Sequence, residues 1–321
     1  MLLSRTLLLL SSLFPLLAQT PYAPPDDVSY RRANIYSEGT RMSAEVFAPK
    51  AAASAQKLPS IVMAHGWGGT AALLRREAAA FARAGYLVVT FDYRGWGDSD
   101  SRVILAAPAP APAQVRFTAD VQAVREVVDP IDFATDWFNA IHWIQAEPNF
   151  DPNHLGLWGS SFSGALVVYV AERDPRVKAI HSQVGPLDGR IGMMANDVER
   201  RKTYDEATRM ARDDMGYAPP GARVIGNLRG APVRSRFLLF TPVDDVEKAP
   251  ACAMQFVLAE KEELFDNRDH VLKAYPHVKG PKNLVIVPNI THYGIYTTAR
   301  DQAQKLALDW FDKYLKGAPG Q

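Results

Sequence analysis

The chain changes texture at Ser60. Before it, "YRRANIYSEGTRMSAEVFAPK" alternates apolar and polar positions, the period-two pattern of strands with one solvated face. The stretch Ser37–Thr40 breaks that pattern and predicts a turn between two strands. From Ser60 onward, short and nearly continuous apolar runs are separated by amphipathic stretches. The runs predict strands at Ser60–Ala64, Leu87–Asp92, His154–Trp158, Val177–Gln183, Ala253–Ala259 and Leu284–Val287. The stretches between them predict helices such as Leu73–Ala84, Phe133–Ala146 and Gly164–Glu172. In the last helix, Thr298–Leu315, Ala303, Leu306, Ala307, Trp310, Phe311 and Tyr314 share one face, and Gly317 is the stop signal. Strands apolar on both faces, alternating with helices, predict an α/β architecture: a mostly parallel central sheet with helices on both faces.

Two segments break this rhythm. Ser101–Phe117 carries an Ala-Pro repeat, which suits neither a helix nor a central strand and reads as an extended loop. Residues 186–250 fall between two predicted strands and are far too long for an ordinary crossover, so a helical cap or lid is expected there. The charge-rich helix within that insertion reads as a solvated face.

With 321 residues, 47% of them hydrophobic, the chain can bury a large core. Its formal charge of +1 gives no electrostatic reason to expect nucleic acid as a partner. Cys252 is the single cysteine, which excludes an intrachain disulfide and a thiolate metal cluster. The N-terminus has one early charge, Arg5, then an apolar stretch from Leu7 to Leu17 and a small residue at Ala18. That is the layout of a signal peptide over residues 1–18 and implies a secreted or periplasmic protein. The apolar stretch is too short for a membrane span. A Pro-rich linker is expected at 19–28, followed by a single α/β domain over 29–321.

Candidate chemistry starts at "HLGLWGSSFSGALVVYV", residues 154–170, where three serines lie between a strand and a helix. A serine hydroxyl needs a base to take its proton and a sharp turn to hold it clear of the sheet. That turn crowds the positions two before and two after the serine, so both must be small. Ser160 has Trp158 and Phe162 there and is excluded. Ser163 is sterically possible but lies half a turn into the helix. Ser161, flanked by Gly159 and Ser163, is the candidate nucleophile. The alternative is that these serines merely cap the helix.

Of seven histidines, His292 in "LVIVPNITHYGIY" directly follows the last strand, on a loop that reaches the same sheet edge, and is the candidate base. The acid should follow the strand before it. Glu260, Glu262, Glu263 and Asp266 compete there; position past the strand favours Glu262, then Asp266, then Glu263. The amides of Phe162 and of Trp67, in "AHGWGGT", are the expected oxyanion donors, with His65 fixing the Trp67 loop.

Taken in order, "HGWGG", "DYRGWGDSD", "GSSFSG", "AEKEELFD" and "ITHYG" resemble the α/β-hydrolase family over about residues 30–316, most closely its dienelactone-hydrolase-like and X-prolyl-peptidase-like bacterial serine esterases. The departures are Ser163 where glycine is usual and a Glu-rich turn where Asp is commoner. The resemblance implies the α/β-hydrolase fold and a carboxylesterase-like serine hydrolase that needs no cofactor or metal and acts on a small-molecule ester. A peptidase, amidase or lactone hydrolase on the same triad is the alternative. "GWGGTA", with Asp92 about twenty residues on, also fits a dinucleotide fingerprint, but Trp67 would block the approach of a pyrophosphate. A further alternative is a non-catalytic binding protein on this fold.

Overall fold

The computed structural model describes residues 22–53, 56–217 and 228–317. The leader expected at 1–18, the first linker residues and part of the insertion (218–227) lie outside the described residues.

Eight strands form one sheet: β1 (Val28–Ser37), β2 (Thr40–Pro49), β3 (Leu58–Ala64), β4 (Leu87–Phe91), β5 (Phe150–Ser160), β6 (Val177–Gln183), β7 (Ala253–Ala259) and β8 (Lys282–Val287). Their spatial order is β1-β2-β4-β3-β5-β6-β7-β8. The hairpin β1–β2 is antiparallel and joins β4 antiparallel. Every other pairing in the sheet is parallel. The hairpin turns at Glu38 and Gly39, both at positive φ (47° and 80°), the geometry that matches the right-handed twist of the strands it joins.

The principal helices are α1 (Arg75–Arg83), α2 (Pro130–Ile144), α3 (Phe162–Ala171), α4 (Asp197–Ala211) and α5 (Arg300–Phe311). Asp129 starts α2 by accepting hydrogen bonds from the amides of Ile131 and Asp132, with Pro130 at the first helical position. Phe133, Trp137, Leu166 and Val167 of α2 and α3 build the core on one face of the sheet. Phe81, Trp310 and Phe311 of α1 and α5 build it on the other. The central strands are therefore buried on both sides, which is why they read as unbroken apolar runs.

Some boundaries differ from expectation for identifiable reasons. β5 starts at Phe150 rather than His154, because Asp151-Pro152-Asn153 reads as a turn yet is absorbed by a register shift opposite Leu58–Ser60. The Pro-rich stretch is no free linker beyond Tyr22, whose ring packs on Tyr30 and Phe47 (centroids 5.0 and 6.1 Å) beneath the Arg75 guanidinium. β1 already begins at Val28. Val103–Leu105 and Val121–Ala123 pair as a small exposed ladder apart from the main sheet, and the Ala-Pro repeat lies between them.

Within the insertion, Asn196 caps α4, in which only Thr203 is buried, so the charge-rich helix is indeed a solvated one. The returning chain pairs Ala231–Pro232 with Val127–Val128 and then lays Phe237 and Phe240 over Phe162 (5.5 and 5.6 Å). No helix among the described residues is long and apolar enough to cross a membrane.

Candidate active site

Parallel strands end at one edge of the sheet, and the connections leaving that edge converge. Ser161 follows β5, Glu262 follows β7, His292 follows β8 and Trp67 follows β3. In open α/β sheets this is the edge where ligands bind.

Ser161 stands between β5 and α3 with φ 55° and ψ −126°, a conformation that costs a side-chain-bearing residue energy and is held only by its surroundings. Those surroundings are on hand. The Ser161 amide donates to the Gln183 carbonyl at 2.9 Å, and its carbonyl accepts from the Gly164 amide at 2.8 Å. A Cβ on Gly159 would run into the Ser163 carbonyl, and one on Gly164 would lie 2.7 Å from the Gln183 carbonyl oxygen. Ser163, the departure from the usual glycine, is put to structural use. Its buried hydroxyl donates to the His65 carbonyl (2.6 Å) and meets the Tyr93 hydroxyl (2.5 Å), pinning α3 to the Trp67 loop.

His292 is buried, with Nε2 3.0 Å from Ser161 Oγ. Its Nδ1 lies 3.0 and 2.9 Å from the two oxygens of Glu262, itself almost wholly buried. The Leu264 amide also donates to Glu262 Oε1 (3.1 Å). The other carboxylates are engaged elsewhere. Glu263 accepts from the His292 backbone amide (2.6 Å) and so holds the loop rather than the ring. Asp266 starts a short helical turn and pairs with Arg268, which lowers its carboxyl to about pKa 2. Glu260 accepts from the Asn289 amide.

The loop after β3 approaches the elbow closely: a Cβ on Gly66 would lie 2.9 Å from the Ser160 carbonyl oxygen and 3.0 Å from Ser161 Cβ. The Trp67 ring packs against Phe162 and Phe237 (both 5.7 Å), so the two residues expected to supply oxyanion donors are in contact through their side chains. The His65 Nδ1–H donates to the Gly66 carbonyl (2.9 Å), and burial lowers its pKa to about 4, leaving it neutral. Asp92 is no ribose ligand. Its carboxylate accepts from the amides of Ala71 (2.6 Å) and Asp98 (3.0 Å) and is buried under Gly97.

Sequence reasoning missed one set of residues. Ser160 donates to the Tyr296 hydroxyl (2.7 Å) and accepts from Gln183 Nε2 (2.9 Å), while His181 bridges Gln183 and Gln255. The Tyr296 hydroxyl thus turns inward beside the nucleophile although its ring is partly exposed, and burial of that hydroxyl pushes its pKa up to about 12. Polar residues at alternate positions of β6 (His181, Gln183) were the available signal, since a strand buried on both faces does not carry them without partners.

The comparisons with known proteins agree with this architecture. Residues 38–222 match the X-Pro dipeptidyl-peptidase family (S15), and residues 132–318 match the prolyl oligopeptidase family (S9). An uncharacterized 31.7 kDa protein of the traX-finO intergenic region of Escherichia coli is 34% identical over 288 residues, covering 81% of this chain and 92% of that one. The quorum-quenching protein AidA of Acinetobacter baumannii is 36% identical over 138 residues, 43% of this chain and 38% of that one. Among solved structures, the α/β hydrolase GrgF from Penicillium sp. sh18 superimposes with a TM-score of 0.69 at 19% identity, covering 90% of this chain and 99% of that one. With both family matches spanning more than half of its length, the chain belongs to the α/β-hydrolases of the S15 and S9 peptidase kind.

Proposed function

We propose that the protein is a serine hydrolase that cleaves carboxylic esters through an acyl-enzyme. One observation carries this reading: Ser161 Oγ, on a strained elbow, lies 3.0 Å from a buried imidazole whose other nitrogen is held by both oxygens of Glu262. Ser161 Oγ attacks the acyl carbon while its proton passes to His292 Nε2. Glu262 keeps the imidazole in the tautomer with Nε2 free and stabilises the imidazolium that forms. The acyl oxygen takes up the displaced electron pair, and the Phe162 and Trp67 amides are the donors proposed to meet its charge. Collapse of the tetrahedral intermediate expels the alkoxide, which takes its proton from His292. Water, deprotonated by the same nitrogen, then attacks the acyl carbon, releases the acid and restores Ser161.

A peptidase would run the same steps, and the S15 and S9 matches favour that second reading. The ester reading is supported by the cavity at Ser161. A peptidase that cuts from the amino terminus needs a carboxylate for the substrate's ammonium group, and Glu77, the carboxylate that lines the cavity among the described residues, already accepts from Arg300 at 2.5 and 2.9 Å. Lactones and thioesters follow the ester chemistry.

The test is labelling with a fluorophosphonate, mapped by mass spectrometry, with p-nitrophenyl butyrate turnover alongside. A single adduct on Ser161, and a kcat reduced roughly 10⁴-fold or more in Ser161→Ala and His292→Ala, is the expected result. An adduct on Ser163, or an unlabelled and inactive protein, would overturn it.

A further inference from the structure

The base loop and the nucleophile are joined by more than the triad. One short helical turn, His292–Tyr296, begins with the base and ends with a tyrosine. It packs tightly, since a Cβ on Gly294 would lie 2.7 Å from Ile290 Cβ. His292 Nε2 reaches Ser161 Oγ at 3.0 Å. The Tyr296 hydroxyl lies 2.7 Å from Ser160 Oγ and also meets the Ser161 side chain. Tyr296, Ser160, Ser161 and Gln183 all border the cavity at the nucleophile.

Counting protons gives these hydrogen bonds a direction. A hydroxyl has one hydrogen to donate and two lone pairs to accept with. Ser160 Oγ accepts from Gln183 Nε2 at 2.9 Å, and its own hydrogen goes to the Tyr296 oxygen. Gln183 is held from behind by the fully buried His181, 3.2 Å away. The Tyr296 oxygen is thus engaged as an acceptor, and its hydrogen is left for Ser161. Burial pushes the pKa of the phenol up to about 12, so at neutral pH it stays protonated and remains a donor. Ser161 Oγ gives its own hydrogen to His292 Nε2 and has lone pairs with which to accept.

We propose that Tyr296 is a further catalytic residue, whose hydroxyl donates a hydrogen bond to Ser161 Oγ and acts chiefly when that oxygen is the leaving group. The inference rests on the hydrolase reading. Only an interaction that is stronger in the transition state than in the ground state accelerates a step. In acylation the hydrogen bond is already made in the resting enzyme, so it changes that barrier little. After acylation, Ser161 Oγ is an ester oxygen and a weak acceptor. In deacylation the water oxygen bonds to the acyl carbon and the bond from that carbon to Oγ breaks. The electron pair returns to Oγ, and the proton on His292 Nε2 follows it. Negative charge grows on Oγ in that step, and the hydrogen bond from Tyr296 strengthens with it. The phenol keeps its own proton throughout, and the role needs no contact between Tyr296 and substrate.

Stopped-flow kinetics with p-nitrophenyl butyrate separates the two steps. The first release of p-nitrophenol reads acylation, and decay of the butyryl-enzyme, followed by intact mass, reads deacylation. Tyr296→Phe should slow deacylation about tenfold and leave acylation within about twofold. kcat and KM then fall together, kcat/KM holds, and the butyryl-enzyme accumulates. Ser160→Ala keeps the phenol but removes the hydroxyl that orients it, and should show the same split to a smaller extent. It carries the test if Tyr296→Phe fails to fold. Equal losses in both steps would reduce Tyr296 to a support for the His292 loop and overturn the role, as would kinetics that neither substitution changes. A parent protein that forms no butyryl-enzyme sinks the hydrolase reading and this role with it, whereas an active parent whose variants show no split sinks this role alone.

Discussion

Glu262 and Glu263 are neighbours, and both touch His292, but through different atoms. Glu262 receives the ring, and Glu263 receives the backbone amide of the same residue. An acid that orients the imidazole acts on every turnover, whereas one that anchors the loop acts only through the position of the ring. Glu262→Gln should therefore lower kcat by about 10³–10⁴ with KM little changed, as loss of the tautomer-setting carboxylate does in serine hydrolases generally. Asp266→Asn should leave kcat within a few-fold, because its carboxylate serves Arg268 and a helical turn. Steady-state kinetics on p-nitrophenyl butyrate checks the series, and a loss of kcat in Asp266→Asn as large as in Glu262→Gln would refute the assignment. Position past the strand singled out Glu262, but it ranked Asp266 ahead of Glu263, and of those two only Glu263 reaches His292. Which oxygens would face the ring was not legible, because consecutive residues in a turn diverge by backbone angles that no apolar pattern encodes.

At the scale of elements, what was legible was whatever the sheet imposes. Strands β6 and β7 match their expected bounds, since burial on both faces leaves an uninterrupted apolar run. The elbow was legible for a steric reason, Gly159 having no room for a Cβ. What stayed hidden was set by single polar contacts, such as the Ser163 hydroxyl and the chain from Tyr296 to Gln183. α3 carries another such contact at its end. Glu172 is the C-cap residue of the helix, its backbone N–H closing the final turn; its carboxylate is buried, accepts through Oε2 from Arg173 and has no partner for Oε1 among the described residues. Burial raises its pKa from 4.5 to about 9, against the smaller opposing pull of Arg173. The folded state thus holds a proton that the unfolded chain releases above its ordinary carboxyl pKa. Stability contributed by the neutral form is full below pH 4.5 and declines as pH rises from there toward 9. Glu172→Gln keeps the neutral shape and removes the titration, so its melting temperature should exceed the parent's by a few degrees at pH 8 and match it near pH 4.5. Differential scanning calorimetry at the two pH values decides, and a gain that is the same at both would place its origin elsewhere.

Across the whole molecule, the candidate catalytic residues gather at one edge of the sheet. Ser161, Glu262, His292 and Trp67 all follow the carboxyl ends of parallel strands. The one thiol sits at the other end. Cys252 immediately precedes β7, whose seven residues separate it from the site by roughly 20 Å at about 3.3 Å per residue. It is 2% exposed within the core formed with α2 and α3, and burial pushes its pKa up to about 12. A thiol in that state is neither ionised nor reachable at neutral pH, and alkylation needs both. The native protein should therefore resist iodoacetamide at pH 8 for hours and keep its full hydrolytic rate. In urea, Cys252 should be alkylated as the main sheet opens, so that labelling tracks the loss of tryptophan fluorescence. Mass spectrometry of timed samples reads both. Rapid alkylation of the native protein would show that the strand ends opposite the site open on their own. Loss of activity on alkylation would mean that this end of the sheet communicates with the triad, against the separation that the parallel topology imposes.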